Sequence, residues 1–233
     1  MKVLQAEGLS IAFGGLRAVD HVTLAIDAGQ VFSIIGPNGS GKTTFFNLVS
    51  GIYRANEGRV WLAGEEVAGL PPFELARKGL SRTFQNLQIF ARMTVLENVM
   101  VGRHRHETTR ILADLVHWPS VLRQNRATRE AAMSALARVG LADFADRQAG
   151  ALPYGALKRL EIARALAGEP RLLFLDEPAA GLNPTEAGEI GALIRKVADT
   201  GTTVVLIEHN MRLVMGVSDH VLVLDHGRRL CAG

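Results

Sequence analysis

A short apolar run, VFSII at residues 31–35, leads directly into the glycine-rich sequence GPNGSGKTT at 36–44. This sequence fits the pattern G-x-x-x-x-G-K-[S/T], and a helical pattern follows it. Glycines in such a loop let successive backbone N–H groups face one anion, and the following helix directs its positive end at the same point. The feature therefore predicts a phosphate-binding loop between a buried strand and a helix. The alternative, a glycine-rich turn with an unrelated lysine, would not require this order of elements.

The residues of the loop have distinct expected roles toward a nucleotide. Lys42 would reach the β and γ phosphates, and the hydroxyl of Thr43 would ligate Mg²⁺. We predict that the nucleotide is held by Asn38, Gly39, Ser40, Gly41, Lys42, Thr43 and Thr44.

A second feature, LLFLDEP at residues 172–178, places two adjacent acids at the end of a strand that reads as buried. Neighbouring strand residues point to opposite sides, so Asp176 and Glu177 are expected to have separate roles. A phosphate loop needs a second metal anchor, usually an acid that ends another buried strand. We predict that Asp176 holds Mg²⁺, through water, and that Glu177 is the general base that activates water. Without the phosphate loop, a solvated Asp-Glu-Pro turn would be the default interpretation.

The pattern along the chain predicts an α/β fold with a helical insertion. Strand-like runs dominate the first 64 residues, and a helical pattern covers about 94–150, where Met133, Leu136, Ala137 and Leu141 share one predicted face. Strands and helices then alternate, which indicates a parallel sheet covered on both faces. The predicted elements of this last part are a helix at 157–167, a strand at 171–175, a helix at about 185–199 and strands at 203–207 and 221–224.

Composition excludes several classes of protein. The longest apolar runs fall far short of the roughly 20 residues of a membrane helix, and the N-terminal sequence MKVLQAEGL does not resemble a secretory signal. The single cysteine, Cys231, cannot form an internal disulfide, which agrees with the cytoplasm. A net charge of +3 is too mild to indicate nucleic-acid binding. The basic segment GRHRHETTR at 102–110 is interpreted as a solvated face, with contact to an anionic surface as the alternative.

Four motifs occur in one order: GPNGSGKTT, the glutamine of TFQN, LLFLDEP and the histidine of IEHN. Together they resemble the ATP-binding cassette (ABC) ATPases that drive membrane transporters, over nearly the whole chain. The resemblance implies one cassette over residues 1–233, with ATP and Mg²⁺ as cofactors. Its implied fold is a P-loop NTPase core, mostly a parallel sheet flanked by helices, with an N-terminal antiparallel β subdomain and a helical subdomain inserted at about 86–165.

The resemblance also implies roles for single residues outside the phosphate loop. Gln85 would reach the Mg²⁺ and the attacking water, and His209 would contact the γ phosphate and help to hold the catalytic geometry. Phe13 occupies the position of an aromatic residue that stacks on adenine, although an ordinary core residue is the alternative. Val19 occupies the position of a small apolar residue that packs beside the nucleotide.

The segment LPYGA departs from the family's usual Leu-Ser-Gly-Gly-Gln. In the family this segment contacts ATP bound to the other subunit, so Pro153, Tyr154 and Gly155 are expected to act in trans. Proline offers neither a hydroxyl nor an N–H group, so the contact is expected to depend on the backbone around Gly155 and on the helix dipole. Asn183 occupies the position of an aspartate that crosses the dimer interface, and asparagine lacks its charge.

Several segments look like the ATP-binding subunits of branched-chain amino-acid importers: FGGLRAV at 13–19, RTFQNLQIF at 82–90, the Tyr-Gly segment, DEPAAGLNP and IEHNM at 207–211. The implied partners are a membrane permease, contacted near Gln85 and residues 87–99, a second similar or identical cassette, and indirectly an extracytoplasmic substrate-binding protein. The implied location is the cytoplasmic face of the inner membrane. The alternatives are a soluble cassette ATPase that acts on nucleic acid or ribosomes, and a small-molecule kinase.

Overall fold

The computed structural model describes residues 1–103 and 119–233, with side chains except at 119–123. The basic segment at 102–110 lies outside the described residues from position 104 onward. Among the helices in the described part of the chain, none combines the length and apolar character needed to cross a membrane.

The described chain contains ten strands and seven α-helices with the following bounds. The strands are β1 (Lys2–Phe13), β2 (Leu16–Asp27), β3 (Val31–Ile35), β4 (Glu57–Leu62), β5 (Glu65–Glu66), β6 (Leu80–Arg82), β7 (Leu172–Asp176), β8 (Thr203–Ile207), β9 (His220–Asp225) and β10 (Arg228–Ala232). The helices are α1 (Lys42–Val49), α2 (Pro72–Arg77), α3 (Val95–Val101), α4 (Pro119–Arg138), α5 (Tyr154–Ala167), α6 (Pro184–Asp199) and α7 (Met211–Val217).

The N-terminal sheet is antiparallel and has the strand order β2-β1-β4-β5. Strand β2 alternates between buried and exposed residues, with Val22, Leu24 and Ile26 buried. This period of two is the pattern of a sheet with one face on a core and the other in water.

The second sheet has the order β10-β9-β3-β8-β7-β6 and is parallel except for the hairpin of β9 and β10. Strands β7 and β8 are buried along their whole length, which explains their continuous apolar sequences. The carboxyl ends of β3, β7 and β8 are neighbours, so the segments that follow these strands meet at one edge. The predicted α/β fold is confirmed in both sheets.

The chain forms two compact units, one of Met1–Gln85 with Pro170–Gly233 and the other of Asn86–Glu169. The second unit contains helices α3, α4 and α5. The buried stripe of α4 includes Ala132, Ala135 and Leu136, and Val139, directly after the helix, continues it. The predicted face was therefore wrong in part. Ala137 is exposed, because the i, i+3, i+4, i+7 stripe begins at Ala132, one residue before Met133. Leu141 is buried but follows the helix.

Candidate nucleotide site

The phosphate loop between β3 and α1 depends on glycine at two positions. Gly36 has φ 151° and Gly41 has φ 98°, in the range that residues with a side chain rarely adopt. A Cβ atom at Gly36 would lie 2.1 Å from the Leu224 carbonyl oxygen, and one at Gly41 would lie 2.3 Å from that of Ala18. These contacts are impossible, so the loop can pass this close to neighbouring backbone only with glycine.

Lys42 lies inside the loop, with only 6% of its surface exposed. Its Nζ donates to the carbonyl oxygens of Gly36 and Pro37, at 2.8 and 2.9 Å. Burial lowers the pKa of the Lys42 ammonium, and the carboxylates of Glu177 and Asp176 oppose that effect. The ammonium is thus held over the loop, where an anionic ligand would offset the cost of its burial.

Three observations indicate that the loop fits the phosphates of a nucleotide. Helix α1 begins after Gly41 with no side-chain cap and with no acidic residue in its first turn, so the positive end of its dipole is not neutralised locally. The buried Oγ of Ser40 has no hydrogen-bond partner within the described residues. The close backbone approach at Gly36 and Gly41 shapes a cradle lined by main chain.

Asp176 ends β7 and is 3% exposed. Its Oδ2 accepts a hydrogen bond from Nη2 of Arg82 at 3.1 Å, and its backbone N–H donates to the Thr83 hydroxyl at 3.3 Å. Burial raises the pKa of Asp176, whereas the Arg82 guanidinium opposes that rise. Arg82 was not singled out from the sequence, because a lone arginine at the end of a three-residue strand carries no local signal.

Glu177 leaves the strand through a sharp turn. Its backbone is left-handed, with φ 49°, and its N–H donates to the Ile207 carbonyl oxygen at 3.0 Å. Its Oε2 accepts a hydrogen bond from Nε2 of Gln85 at 3.2 Å, and its Oε1 lies 3.1 Å from Nε2 of His209. The structure therefore brings Glu177, the base predicted from the sequence, together with Gln85 and His209, whose catalytic roles the resemblance implies.

Glu208 fixes the turn that carries His209, a role missed from the sequence. Its side chain is 4% exposed. Its Oε1 accepts from the backbone N–H of Ala179 at 2.9 Å, and its Oε2 accepts from those of His209 and Asn210 at 3.0 and 3.3 Å. One buried carboxylate thus joins the end of β8 to the segment that follows Glu177. Its position in IEHN, directly after a buried strand, was the available signal.

Phe13, at the end of β1, is 46% exposed and contacts Tyr53 edge to face, with 5.3 Å between ring centroids. An exposed ring has a free face for a purine, unlike the core residue of the alternative interpretation. Val19, by contrast, is fully buried, so its predicted contact with the nucleotide is not supported. The half-buried Ala18, which precedes it, has its carbonyl oxygen facing Gly41 of the loop.

The order of these motifs agrees with a known family model. The model for ABC transporter matches residues 19–180, which include the phosphate loop and the turn at Asp176 and Glu177. The chain belongs to the ABC transporter family.

Curated relatives of this family are similar over nearly the whole chain. BraF of Pseudomonas aeruginosa, a high-affinity branched-chain amino acid transport ATP-binding protein, is 49% identical over 232 residues, which cover 99% of this chain and 91% of BraF. LivG of Escherichia coli, which has the same description, is 44% identical with the same coverage. A probable LivG of Archaeoglobus fulgidus is 36% identical over 233 residues, 100% of this chain and 90% of that protein.

Solved ABC cassettes share the fold. The crystal structure of a nucleotide-free ATP-binding cassette from an ABC transporter matches with a TM-score of 0.87 at 34% identity, over 100% of this chain and 91% of that one. The ADP conformation of such a cassette matches with a TM-score of 0.86 at 34% identity and the same coverage. The resemblance inferred from the motifs and the P-loop NTPase fold are both confirmed.

The ABC signature segment starts helix α5 in the second unit. Pro153 is the N-cap residue and makes no side-chain cap. Its carbonyl oxygen accepts from the N–H groups of Ala156 and Leu157, each at 3.0 Å. Pro153 and Tyr154 are exposed, and Gly155 is half-buried. The start of this helix thus presents main chain and an aromatic ring in place of the usual serine.

Asn183 caps helix α6 of the ABC core. Its Oδ1 accepts from the N–H groups of Thr185 and Glu186, each at 3.0 Å, and Oε2 of Glu186 accepts from the Asn183 N–H at 3.0 Å. This reciprocal pair is a capping box. The side-chain oxygen is therefore committed within the chain, and the amide nitrogen is the group that a partner could use.

Proposed function

We propose that this chain is the ATP-binding and ATP-hydrolysing subunit of a membrane ABC importer. The observation that carries the proposal is the carboxylate of Glu177, which hydrogen bonds connect to Gln85 and His209 at the edge that carries the phosphate loop. A carboxylate fixed in this way next to a phosphate site is suited to accept a proton from an attacking water molecule.

In the proposed reaction, the phosphate loop and Lys42 bind the phosphates of ATP, and Phe13 stacks on adenine. Glu177 takes the proton of the water that attacks the γ phosphate, the bond from the γ phosphorus to the bridging oxygen breaks, and ADP leaves with that oxygen. His209 orients the Glu177 carboxylate and contacts the γ phosphate. The residues that would hold Mg²⁺ are Thr43, Gln85 and Asp176. When bound, this ion neutralises charge on the phosphate oxygens.

The complete site requires a second cassette, either identical or similar to this one. Pro153, Tyr154, Gly155 and Asn183 of each chain would contact the ATP held by the other. Binding of ATP closes the pair, and hydrolysis reopens it, which drives the permease through contacts near Gln85 and residues 87–99. An extracytoplasmic substrate-binding protein delivers the cargo without touching the cassette.

The proposed cargo is branched-chain or related amino acids. This proposal is supported by the descriptions of BraF and LivG, since these are 49% and 44% identical to the chain. In this proposal the cassette does not bind the cargo itself. It lies at the cytoplasmic face of the membrane, attached to the permease.

The catalytic assignment is tested by Glu177→Gln. We expect phosphate release to fall by about 10²–10⁴-fold, because the amide cannot accept the proton, whereas ATP binding remains. Phosphate release and nucleotide affinity are measured on the same samples. The matched control is Glu66→Gln, the same change at an exposed position of β5, which should leave turnover at the wild-type rate. Normal turnover in Glu177→Gln would show that Glu177 is not the general base.

The importer assignment is tested separately by purifying tagged Glu177→Gln chain from its own cells with ATP and Mg²⁺. Recovery of a polytopic permease, a second cassette and a binding protein supports an importer, and that binding protein can be screened with branched-chain amino acids. Recovery of ribosomes or nucleic-acid enzymes in their place would keep the ATPase and overturn the transport function.

A further inference from the structure

The most deeply buried ion pair near the nucleotide site joins Arg82, at the end of β6, to Asp176, at the end of β7. The two side chains are 7% and 3% exposed. A charge pair with so little solvent is costly unless its geometry is good and its other polar atoms are bonded. The backbone pairing of β6 and β7 already holds these two strands together. The ion pair is therefore expected to have a further function.

Arg82 connects the pair to the helix that follows the phosphate loop. Its Nη1 donates to Oδ1 of Asn47 at 2.6 Å and to the hydroxyl of Ser50 at 2.8 Å. Asn47 belongs to α1, and Ser50 is the residue at its carboxyl end. One guanidinium thus binds α1 through Nη1 and Asp176 through Nη2, while its buried Nε has no hydrogen-bond partner within the described residues.

Aromatic rings confine the guanidinium. The Cζ atom of Arg82 lies 5.6 Å from the ring centroid of Phe46 and 5.2 Å from that of Phe84. Phe46 in turn stacks on Phe174 of β7, with 4.4 Å between centroids. Because planar guanidinium groups stack on rings while they donate in their own plane, this setting fixes the direction of each hydrogen bond.

The hydrogen bond from Arg82 reaches only one oxygen of Asp176, Oδ2. Within the described residues, no hydrogen bond is made to Oδ1. We infer that Arg82 is a positioning residue for Mg²⁺: it holds Asp176 by Oδ2 and keeps Oδ1 available to the ion. This inference rests on the proposed function, since it assumes that Asp176 anchors the metal of MgATP.

The test measures the affinity of the full chain for ADP by titration, once with Mg²⁺ and once with EDTA, and takes the ratio of the two dissociation constants. Loss of a residue that orients a metal ligand costs about 10–100-fold in metal affinity. We expect Arg82→Gln to reduce the Mg²⁺-dependent gain in ADP affinity by about tenfold or more, while ADP affinity in EDTA changes little. Arg82→Lys, which keeps the charge without the planar fork, should recover part of the gain.

Three further variants separate positioning from stability. Arg195→Gln is the matched control, because Nη1 of Arg195 pairs with Oδ1 of Asp219 at 2.9 Å on another part of the same unit. It should lower the melting temperature without changing the ratio. If Arg82→Gln alone does not fold, Arg82→Gln combined with Asp176→Asn removes the unpaired buried charge, and it should match the Asp176→Asn variant in the ratio.

The outcomes distinguish the inference from the proposed function. If the wild-type chain binds ADP with a gain from Mg²⁺ and Arg82→Gln keeps the full gain, the inference is overturned and the ATPase proposal remains. If the double variant has a smaller gain than Asp176→Asn, Arg82 acts on the metal by another route and the inference also fails. If the wild-type chain does not bind ADP, the proposed function fails and the inference fails with it.

Discussion

Helices α1 and α6 both start just after a strand of the parallel sheet, yet their amino ends are built differently. At α6, Asn183 and Glu186 exchange hydrogen bonds with the first backbone N–H groups. At α1, the residue before the helix is Gly41, which has no side chain to offer, and the first turn carries no acid. The amino end of α6 is completed by its own residues, whereas that of α1 is left open.

The difference separates helix ends that serve folding from those that serve binding. Uncapped N–H groups and an unopposed dipole favour an anion, at a cost in helix stability. Helix α3 belongs to the first kind, because Thr94 and Glu97 form a second capping box. Helix α5 belongs with α1, because Pro153 makes no cap. Helix α2 also lacks a side-chain cap, but Glu74 lies in its first turn. Helices α1 and α5 have neither a cap nor an acid there, and their amino ends are the ones that the resemblance assigns to phosphate, in this chain and in trans.

The largest effect is expected on nucleotide affinity for Lys42→Met, at the uncapped amino end of α1. Loss of a charged hydrogen bond to phosphate costs about 1.5–3 kcal/mol, which is roughly a 10–100-fold loss of nucleotide affinity. Stability should change little, because the methionine removes a buried charge while it keeps the volume. Nucleotide titration and thermal unfolding of the same sample check both parts. A stability loss without a loss of affinity would contradict the comparison.

An intermediate effect is expected on stability for Asn183→Ala, at the capped amino end of α6. Removal of an N-cap side chain costs about 0.5–2 kcal/mol of stability, which denaturant unfolding measures. Asn183→Asp is the control, since aspartate caps equally well and should keep the wild-type stability. If Asn183→Ala unfolds at the same denaturant concentration as wild type, the capping box does not serve folding and the two helix ends are not different in kind.

The smallest effect is expected for Pro153→Ser, which adds a capping hydroxyl to α5. The cap should add about 0.5–1 kcal/mol, and the loss of proline should remove about 0.4–1 kcal/mol through the unfolded chain, so stability barely moves. ATP-dependent pairing, measured by sedimentation with the Glu177→Gln background, should become tighter. Weaker pairing would mean that the proline belongs to an adapted contact surface.

Local patterns predicted most of this site. The phosphate loop and the turn at Asp176 and Glu177 are short segments whose neighbours along the chain decide their structure, so the motif and its flanking strand were sufficient. Arg82 and Glu208 were missed because their partners are remote in sequence: Arg82 binds Asp176 across 94 positions and Glu208 binds Ala179 across 29. A single residue gives no pattern from which such contacts can be read.

Burial was the other source of error. Val19 lies in the hydrophobic core with no exposed surface, which its position in the motif did not indicate, and its place beside the nucleotide stays a prediction. In α4, the stripe was shifted by one residue because alanine fits both faces of a helix. Small apolar residues constrain the choice of face least, so periodicity is weakest where alanine is common.

The left-handed backbone of Glu177 has a practical consequence. A residue with a Cβ atom is disfavoured there by roughly 1–2 kcal/mol relative to glycine, so the chain carries strain at the position proposed for its chemistry. Directed evolution of this cassette for heat resistance alone would enrich glycine at 177 and so remove the residue proposed as its general base. Any such selection has to include growth that depends on transport.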